Sequence, residues 1–288
     1  MTIHRIAVIG AGTMGAGIAQ VAAVAGMSVR ITDADASTAE RALERIRTTL
    51  AGGVARGKIR ADGAEAALGR IAAVPTMEVA AADSQLIVEA IVEDIEIKRR
   101  LFADLDRLAP ADAILATNTS SLSVARIAEA THRPSRVLGM HFFNPVHIME
   151  LVELVQHAGT SVDVIESVRN VVVAMKKTPI VVRDMPGFAS SRLGVALGLE
   201  AMRMVEEGVA TAADIDTAMV LGYGHPMGPL RVTDLVGLDV RLRIAEYLHQ
   251  ELGGSHFKPP EILRQKVTTG ELGKKSGKGF YDWPTGKV

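Results

Sequence analysis

The chain has 288 residues, 48% of them hydrophobic and 23% charged, with a net charge of −1, so it has the make-up of a folded globular protein with room for two domains. A charge so balanced gives no general field that would gather nucleic acid or anionic lipid, and the lack of any cysteine excludes disulfides, thiolate metal sites and a cysteine nucleophile. No nucleic-acid partner, membrane partner or metal is expected, and with Met1 only a few residues ahead of the first strand we expect a cytoplasmic protein without a presequence.

Residues 6–9 form a short apolar run that stops at Gly10-Ala11-Gly12-Thr13-Met14-Gly15. This G-x-G-x-x-G gains weight from its context: an Ala-rich helix over 14–25, a stop at Gly26, and a second strand over 29–32 ending in Asp33. The order is that of a βαβ unit. Gly10 permits the tight turn, Gly12 lets backbone approach a pyrophosphate, and Gly15 lets helix and strand pack closely, with the helix N-terminus facing the anion. Asp33 then stands where a carboxylate accepts both ribose hydroxyls. Residues 6–29 carry no charge, yet Gly10, Gly12, Gly15 and Gly17 interrupt them and large aliphatics are few, which speaks against a spanning helix or signal peptide.

A helix over 37–53 carries Arg41, Arg45 and Arg47, and Arg56, Lys58 and Arg60 continue the positive run. Two readings stay open. One is a solvated face with partners such as Arg41 with Glu44 or Glu40; the other is a phosphate-binding surface for a ligand such as coenzyme A. Strands over 71–74, 86–89, 114–117 and 137–141 then alternate with helices over 95–109 and 123–130. That alternation argues for a Rossmann-type, doubly wound α/β fold with a mostly parallel sheet, whose ligands bind at the carboxyl ends of the strands. The residues found there are Glu93 and Lys98, then Asn118, Ser120 and Ser121, then His141 and Asn144.

His141-Phe142-Phe143-Asn144-Pro145 leads into residues 149–155, where Val152 and Leu154 alternate with Glu153. A hairpin centred near His147 places His141 opposite Glu153 on one face of an antiparallel pair. A histidine donating one ring nitrogen to a carboxylate keeps one tautomer and presents a basic lone pair; a structural histidine capped by a nearby acid has the same spacing, and that reading also stays open. The other histidines show no comparable partner spacing. A helix over 161–175 and a last strand over 179–182 follow, and Asp184-Met185-Pro186-Gly187 reads as a linker. We therefore expect a nucleotide-binding domain over 1–183 and an all-α C-terminal domain over 184–288, with helices over 189–207, from a capping box at Thr211, within 230–252 and over 261–267. The long semi-apolar helix over 189–207 suggests a homodimer. The chain closes on a basic stretch, Gly273 to Tyr281, read as flexible although Phe280, Tyr281 and Trp283 call for burial.

Taken together these residues resemble the L-3-hydroxyacyl-CoA dehydrogenase family, including its 3-hydroxybutyryl-CoA members. The likeness runs over nearly the whole chain: the glycine turn, Val88-Glu89-Ala90-Ile91-Val92-Glu93, Thr117-Asn118-Thr119-Ser120-Ser121-Leu122, His141-Phe142-Phe143-Asn144-Pro145, Pro186-Gly187-Phe188, Gly224-His225-Pro226-Met227-Gly228-Pro229, and Ser276-Gly277-Lys278-Gly279-Phe280-Tyr281. It implies oxidation of a 3-hydroxyacyl thioester to the 3-ketoacyl thioester with NAD. His141 would be the general base and Glu153 its support, with Ser120 and Asn144 beside the reacting oxygen, the thioester or the cofactor. Glu93, Lys98, Asn118 and Lys275 match cofactor contacts, as do Gly10, Gly12, Thr13, Met14, Gly15 and Asp33 of the turn. Thr49 and Arg56 fall where the family places coenzyme A contacts.

One position departs. Where the family usually reads Gly-Phe-x-x-Asn-Arg, this chain has Gly187-Phe188-Ala189-Ser190-Ser191-Arg192, so Ser191 replaces an active-site Asn among the substrate residues. Two other readings are compatible with part of the pattern. The 3-hydroxyisobutyrate and 6-phosphogluconate dehydrogenases also join a Rossmann domain to a helical one but use a Lys base, and a crystallin-like relative would keep the NAD fold without turnover.

Overall fold

The computed structural model describes residues 2–284, and the chain divides into two compact units with the boundary between Met185 and Pro186. The division lies two residues beyond the boundary expected at 183. Asp184 stays with the first unit because its carboxylate accepts from Ser123 Oγ at 3.0 Å and from the Ala125 N–H at 2.7 Å.

The first unit is built on one eight-stranded sheet in the order β3-β2-β1-β4-β5-β6-β7-β8. Its strands are β1 (Arg5–Ile9), β2 (Ser28–Thr32), β3 (Ile71–Ala73), β4 (Leu86–Glu89), β5 (Ile114–Thr117), β6 (Val137–Phe142), β7 (Leu151–Gln156) and β8 (Thr178–Arg183). From β3 to β6 the pairing is parallel throughout; β7 runs antiparallel to β6, and β8 parallel to β7. Strands β4, β5 and β6 are buried at every residue, as expected for a sheet covered on both faces. The order reverses between β1 and β4, which opens a crevice at their carboxyl ends.

Among the described residues the α-helices that accompany the sheet are α1 (Thr13–Val24), α2 (Ala36–Ala55), α3 (Ala61–Leu68), α4 (Met77–Ala81), α5 (Ile95–Leu108), α6 (Val124–Ala128) and α7 (Val162–Ala174). Short polar side chains start several of them. The Asp35 carboxylate accepts from Ser37 N–H to open α2, and Asp94 accepts from Glu96 and Ile97 N–H to open α5. Helix α2 then buries Ala39, Ala42, Ile46 and Leu50 along one stripe, leaving its arginines outside. Arg41 does not pair with Glu40 or Glu44 as expected; it turns back to Asp35, Ser37 and Thr38 at the cap, and Glu44 pairs with Arg47 at 2.5 Å.

The second unit is helical: α8 (Ser190–Glu206), α9 (Ala212–Tyr223), α10 (Pro229–Val236), α11 (Leu238–Leu252) and α12 (Glu261–Thr268). Val195, Leu199, Met202, Leu230, Leu238, Leu248 and Leu263 form its core. The basic C-terminal stretch is not the loose segment the sequence suggested. The carboxylate of Asp234, fully buried, accepts from the Phe280 and Tyr281 N–H groups at 2.9 Å each and from Trp283 Nε1 at 2.8 Å. Asp216 likewise accepts from the Leu230 and Arg231 N–H groups and from the Tyr281 hydroxyl at 2.7 Å; burial and that bond push the phenol above its ordinary range. No helix among the described residues is long and apolar enough to cross a membrane.

Candidate active site

The glycine turn is held from beneath by its own neighbours. Gly10 has φ +98°, and a Cβ there would come within 2.6 Å of the Ala90 carbonyl oxygen, while one on Gly15 would lie 1.8 Å from the carbonyl oxygen of Gly10. At Gly12 a Cβ would meet nothing within 4 Å, so the bare backbone there looks onto open space. Gly12 also caps α1 without any side-chain hydrogen bond, leaving the helix start at Thr13 and Met14 to an outside acceptor. Beside it lies a cavity of about 690 Å³ lined by Gly10, Gly12, Asp33, Ile91 and Val92 among others. The Asp33 carboxylate is aimed by the Ala11 N–H at 2.7 Å and the Asp35 N–H at 3.2 Å. These residues fit a dinucleotide: an anion-ready helix end, a carboxylate for hydroxyls, and an apolar slot.

At the ends of β4 and β5 lies a buried polar network. Glu89, 0% exposed, accepts from Lys98 Nζ at 2.5 Å, from Thr117 Oγ1 at 2.7 Å and from the Ile91 N–H at 2.8 Å. Lys98 is itself only 1% exposed and lies 3.4 Å from Glu93. Glu93 in turn accepts from Thr119 Oγ1 at 2.6 Å and from the Ser120 N–H at 2.9 Å, with Ser120 Oγ at 3.3 Å. So Glu93 and Lys98 meet the Ser120 loop rather than standing apart from it, and the Lys98 ammonium is enclosed by two carboxylates.

On the antiparallel pair β6–β7, His141 faces Glu153 in register, and His141 Nδ1 lies 2.7 Å from Glu153 Oε2. The alternation of Val152 and Leu154 around Glu153 puts the two hydrophobic side chains on one face and the carboxylate on the other. The carboxylate is 0% exposed and the histidine side chain 7%. An ionised carboxylate only accepts, so Nδ1 carries the proton and Nε2 is the basic atom of the ring. Phe143 packs against the imidazole with ring centroids 4.4 Å apart, and Asn118 Oδ1 accepts from the Phe142 N–H at 2.9 Å, tying the end of β5 to the end of β6.

Thr49, Asn144 and His147 line a smaller cavity of about 140 Å³ together with Arg45 and Thr13. The Thr49 hydroxyl donates to the Arg45 carbonyl at 2.8 Å, and Arg45 reaches the Ala11 carbonyl of the glycine turn at 2.6 Å. Arg56 has no ion-pair partner among the described residues, and burial with the charges of Arg56, Lys177 and Lys58 pushes His147 below its ordinary range. The surroundings of His147 are thus cationic. In the second unit Lys275 pairs with Asp239 at 2.5 Å, and Ser191 lies half-buried in the first turn of α8.

The sequence shows Glu89 and Thr117 only inside motifs and Arg45 only within a positive run, and it did not tell of the contacts these three make. An acid closing an apolar strand, Leu86 to Glu89, was the available signal, because such a carboxylate must find donors inside the protein. Sequence reasoning also passed over His132, whose Nδ1 lies 2.9 Å from Asp106; that imidazole is 95% exposed.

Residues 5–185 match the family described as 3-hydroxyacyl-CoA dehydrogenase, NAD binding domain, and residues 187–283 match the 3-hydroxyacyl-CoA dehydrogenase C-terminal domain. A Bacillus subtilis protein named as a probable 3-hydroxybutyryl-CoA dehydrogenase is 45% identical, with 98% of each chain covered. An Escherichia coli 3-hydroxyadipyl-CoA dehydrogenase is 40% identical over 98% of this chain and 60% of its own. The crystal structure of (S)-3-hydroxybutyryl-CoA dehydrogenase from Ralstonia eutropha is 34% identical, covers 99% of this chain and 100% of its own, and superposes with a TM-score of 0.95.

Proposed function

The chain belongs to the 3-hydroxyacyl-CoA dehydrogenase family, and on that footing we propose that it oxidises L-3-hydroxyacyl-CoA thioesters to 3-ketoacyl-CoA, and runs the reverse reduction, with His141 as base. It is an oxidoreductase that carries the family's NAD-binding domain. When bound, NAD supplies the acceptor for the hydride that leaves C3. The residues that would hold it are Gly10, Gly12, Thr13, Met14 and Gly15 at the pyrophosphate and Asp33 at the adenosine ribose, where a carboxylate favours NAD over NADP.

The chain's own groups do the proton work. As the C3–H bond gives up its electron pair, His141 Nε2 takes the hydroxyl proton and the C3–O bond becomes a carbonyl. Glu153, 2.7 Å from Nδ1, fixes the ring and balances the positive charge it gains. That buried pair is the observation carrying the reading. Ser120, fixed by Glu93 through its N–H, and Asn144 are proposed to hydrogen-bond the substrate oxygens. Lys98 is proposed to act through Glu89 and Glu93. Arg56 and Lys58, cations beside His147, are proposed with Thr49 for the coenzyme A phosphates and chain. A homodimer is proposed through the second unit, which exposes Leu193, Leu221 and Tyr223.

The test is turnover of acetoacetyl-CoA with NADH by the native chain, His141→Gln and Glu153→Gln. Removing a positioned acid–base group costs about 10² to 10⁴ in rate, so each variant should lose kcat on that scale with NADH affinity retained. Losses that simply add in the double variant would count against a shared role. An inactive native chain would favour a non-catalytic NAD-binding relative, to which Ser191 in place of the family's Asn is the pointer.

A further inference from the structure

Helix α1 buries one polar side chain without a partner to meet it. Of the residues this helix buries, Gln20 alone is polar, and it is 5% exposed. Among the described residues none forms a hydrogen bond with its carboxamide. An amide withdrawn from water is costly to leave unpaired, which is why buried side chains of this kind nearly always meet a donor or an acceptor. Gln20 lines the cavity of about 140 Å³ in the first unit that Thr49, Asn144 and His147 also line. Gly17, three residues earlier on the same face of α1, lets the connection between β6 and β7 come close, since a Cβ there would stand 2.7 Å from Val146 Cβ. Val146 and Ile46, both buried, are the apolar part of the wall.

The polar groups of this wall are mostly neutral dipoles. Gln20 and Asn144 are carboxamides, each able to donate and to accept, and the Thr49 hydroxyl gives its hydrogen to the Arg45 carbonyl at 2.8 Å, which leaves its oxygen as an acceptor. Arg45 turns its guanidinium to the Ala11 carbonyl at 2.6 Å. No acid lines the cavity, so it offers nothing to a cation. A secondary amide presents its C=O and its N–H on opposite sides, which suits a donor on one wall and an acceptor on another: Gln20 on α1 and Thr49 on α2. The location also matters. Asn144 lies three residues beyond His141, so the cavity adjoins the end of β6 that carries the proposed base, while the charges of Arg56, Lys177 and Lys58 act on His147 in the same wall.

We propose that Gln20 is a specificity-determining residue: its carboxamide pairs with an amide in the thiol arm of the thioester, and so distinguishes an amide-bearing arm from a plain alkyl one. The inference deepens the dehydrogenase reading above and rests on it. An alkyl arm in this cavity would leave the buried carboxamide unpaired, whereas an amide satisfies it, and a site built of buried polar groups rejects most strongly the analogue that lacks their partner.

Two short acetoacetyl thioesters distinguish the possibilities: that of N-acetylcysteamine, which carries one amide in its arm, and the S-pentyl thioester, in which a methylene chain takes the place of that amide. Reduction of each by NADH, and of acetoacetyl-CoA, is followed with the full chain and its Gln20→Met variant, which keeps the volume and loses the donor and acceptor. The native chain should favour the amide-bearing short thioester in kcat/KM by about 5- to 50-fold, and Gln20→Met should remove most of that preference. The variant should also raise KM for acetoacetyl-CoA by about 5- to 50-fold while KM for NADH stays within about twofold. A native chain that reduces both short thioesters equally overturns the inference while leaving the dehydrogenase reading intact; no reduction of acetoacetyl-CoA sinks both. If Gln20→Met lowers both short thioesters alike, the residue is structural and the inference fails. If neither short thioester is reduced, acetoacetyl-CoA decides: an unchanged KM in the variant overturns the inference, and the expected rise against a constant NADH KM upholds it.

Discussion

Replacing Lys98 by methionine separates a nucleotide contact from a structural cation. The Lys98 side chain is 1% exposed, with its ammonium 2.5 Å from Glu89 and 3.4 Å from Glu93. Methionine fills nearly the same volume without charge, so the change leaves the buried Glu89 carboxylate with Thr117 Oγ1 and the Ile91 N–H alone. Breaking a buried pair from one side typically costs about 3–5 kcal/mol. The two remaining donors place Lys98→Met at the low end, about 3 kcal/mol, read as a lower urea midpoint with unchanged slope. Adding Glu89→Gln removes the stranded charge, so the double variant should be more stable than the sum of the single losses by about 1 kcal/mol or more. NADH affinity, measured by fluorescence titration, should change by less than about tenfold, or 1.4 kcal/mol. A stability loss below about 1 kcal/mol together with a hundredfold weaker NADH would show that Lys98 reaches the nucleotide itself, and the buried-pair reasoning would be wrong.

Asp33→Ala removes the carboxylate that would repel a 2′-phosphate, and should narrow the NAD-over-NADP ratio of kcat/KM by about tenfold or more; an unchanged ratio would remove Asp33 from cofactor choice. Asp35 is held at about 2, below its ordinary 3.8, by the Ser37 and Thr38 hydroxyls, so the α2 cap is at full strength above the ordinary value and is lost as pH falls toward about 2. Asp35→Asn should therefore flatten the acid limb of a Tm-against-pH curve in that window, and parallel limbs would show that the cap carries none of the acid sensitivity.

What the sequence made legible was whatever depends on local pattern. The strand-turn-helix at Gly10 to Gly15, the alternation that yields the parallel sheet, and the pairing of His141 with Glu153 all follow from periods of two or 3.6 and from one short connection. The pairing was readable because an antiparallel register is fixed by residue count: twelve positions separate His141 from Glu153, and the chain doubles back between them. Long-range polar contacts were not legible. Nothing local says that Asp234 will accept two N–H groups 46 and 47 residues later, yet that carboxylate converts the basic C-terminal stretch from a tail into part of the second unit. Arg41 shows the same limit on a smaller scale, since helical spacing offered Glu40 and Glu44 while the cap residues offered a carboxylate and two hydroxyls together.

Two histidine–carboxylate pairs among the described residues show why distance alone does not make a base. His132 and His141 each place Nδ1 against an acid, at 2.9 and 2.7 Å, and each acid is itself buried or nearly so. What differs is the imidazole, 95% exposed in His132 and 7% in His141. At an exposed ring, water competes for both nitrogens and screens the carboxylate, so the pair neither fixes one tautomer firmly nor holds charge in a defined place. At His141 the ring is clamped by Phe143 and by the β6–β7 register, and its charge on protonation is answered only by groups the protein has already placed. Preorganised charge in a dry site is worth more than the same charge in water because nothing must reorient when the proton moves. The strand end, not the hydrogen bond, is what turns an ordinary His–Glu contact into a candidate base.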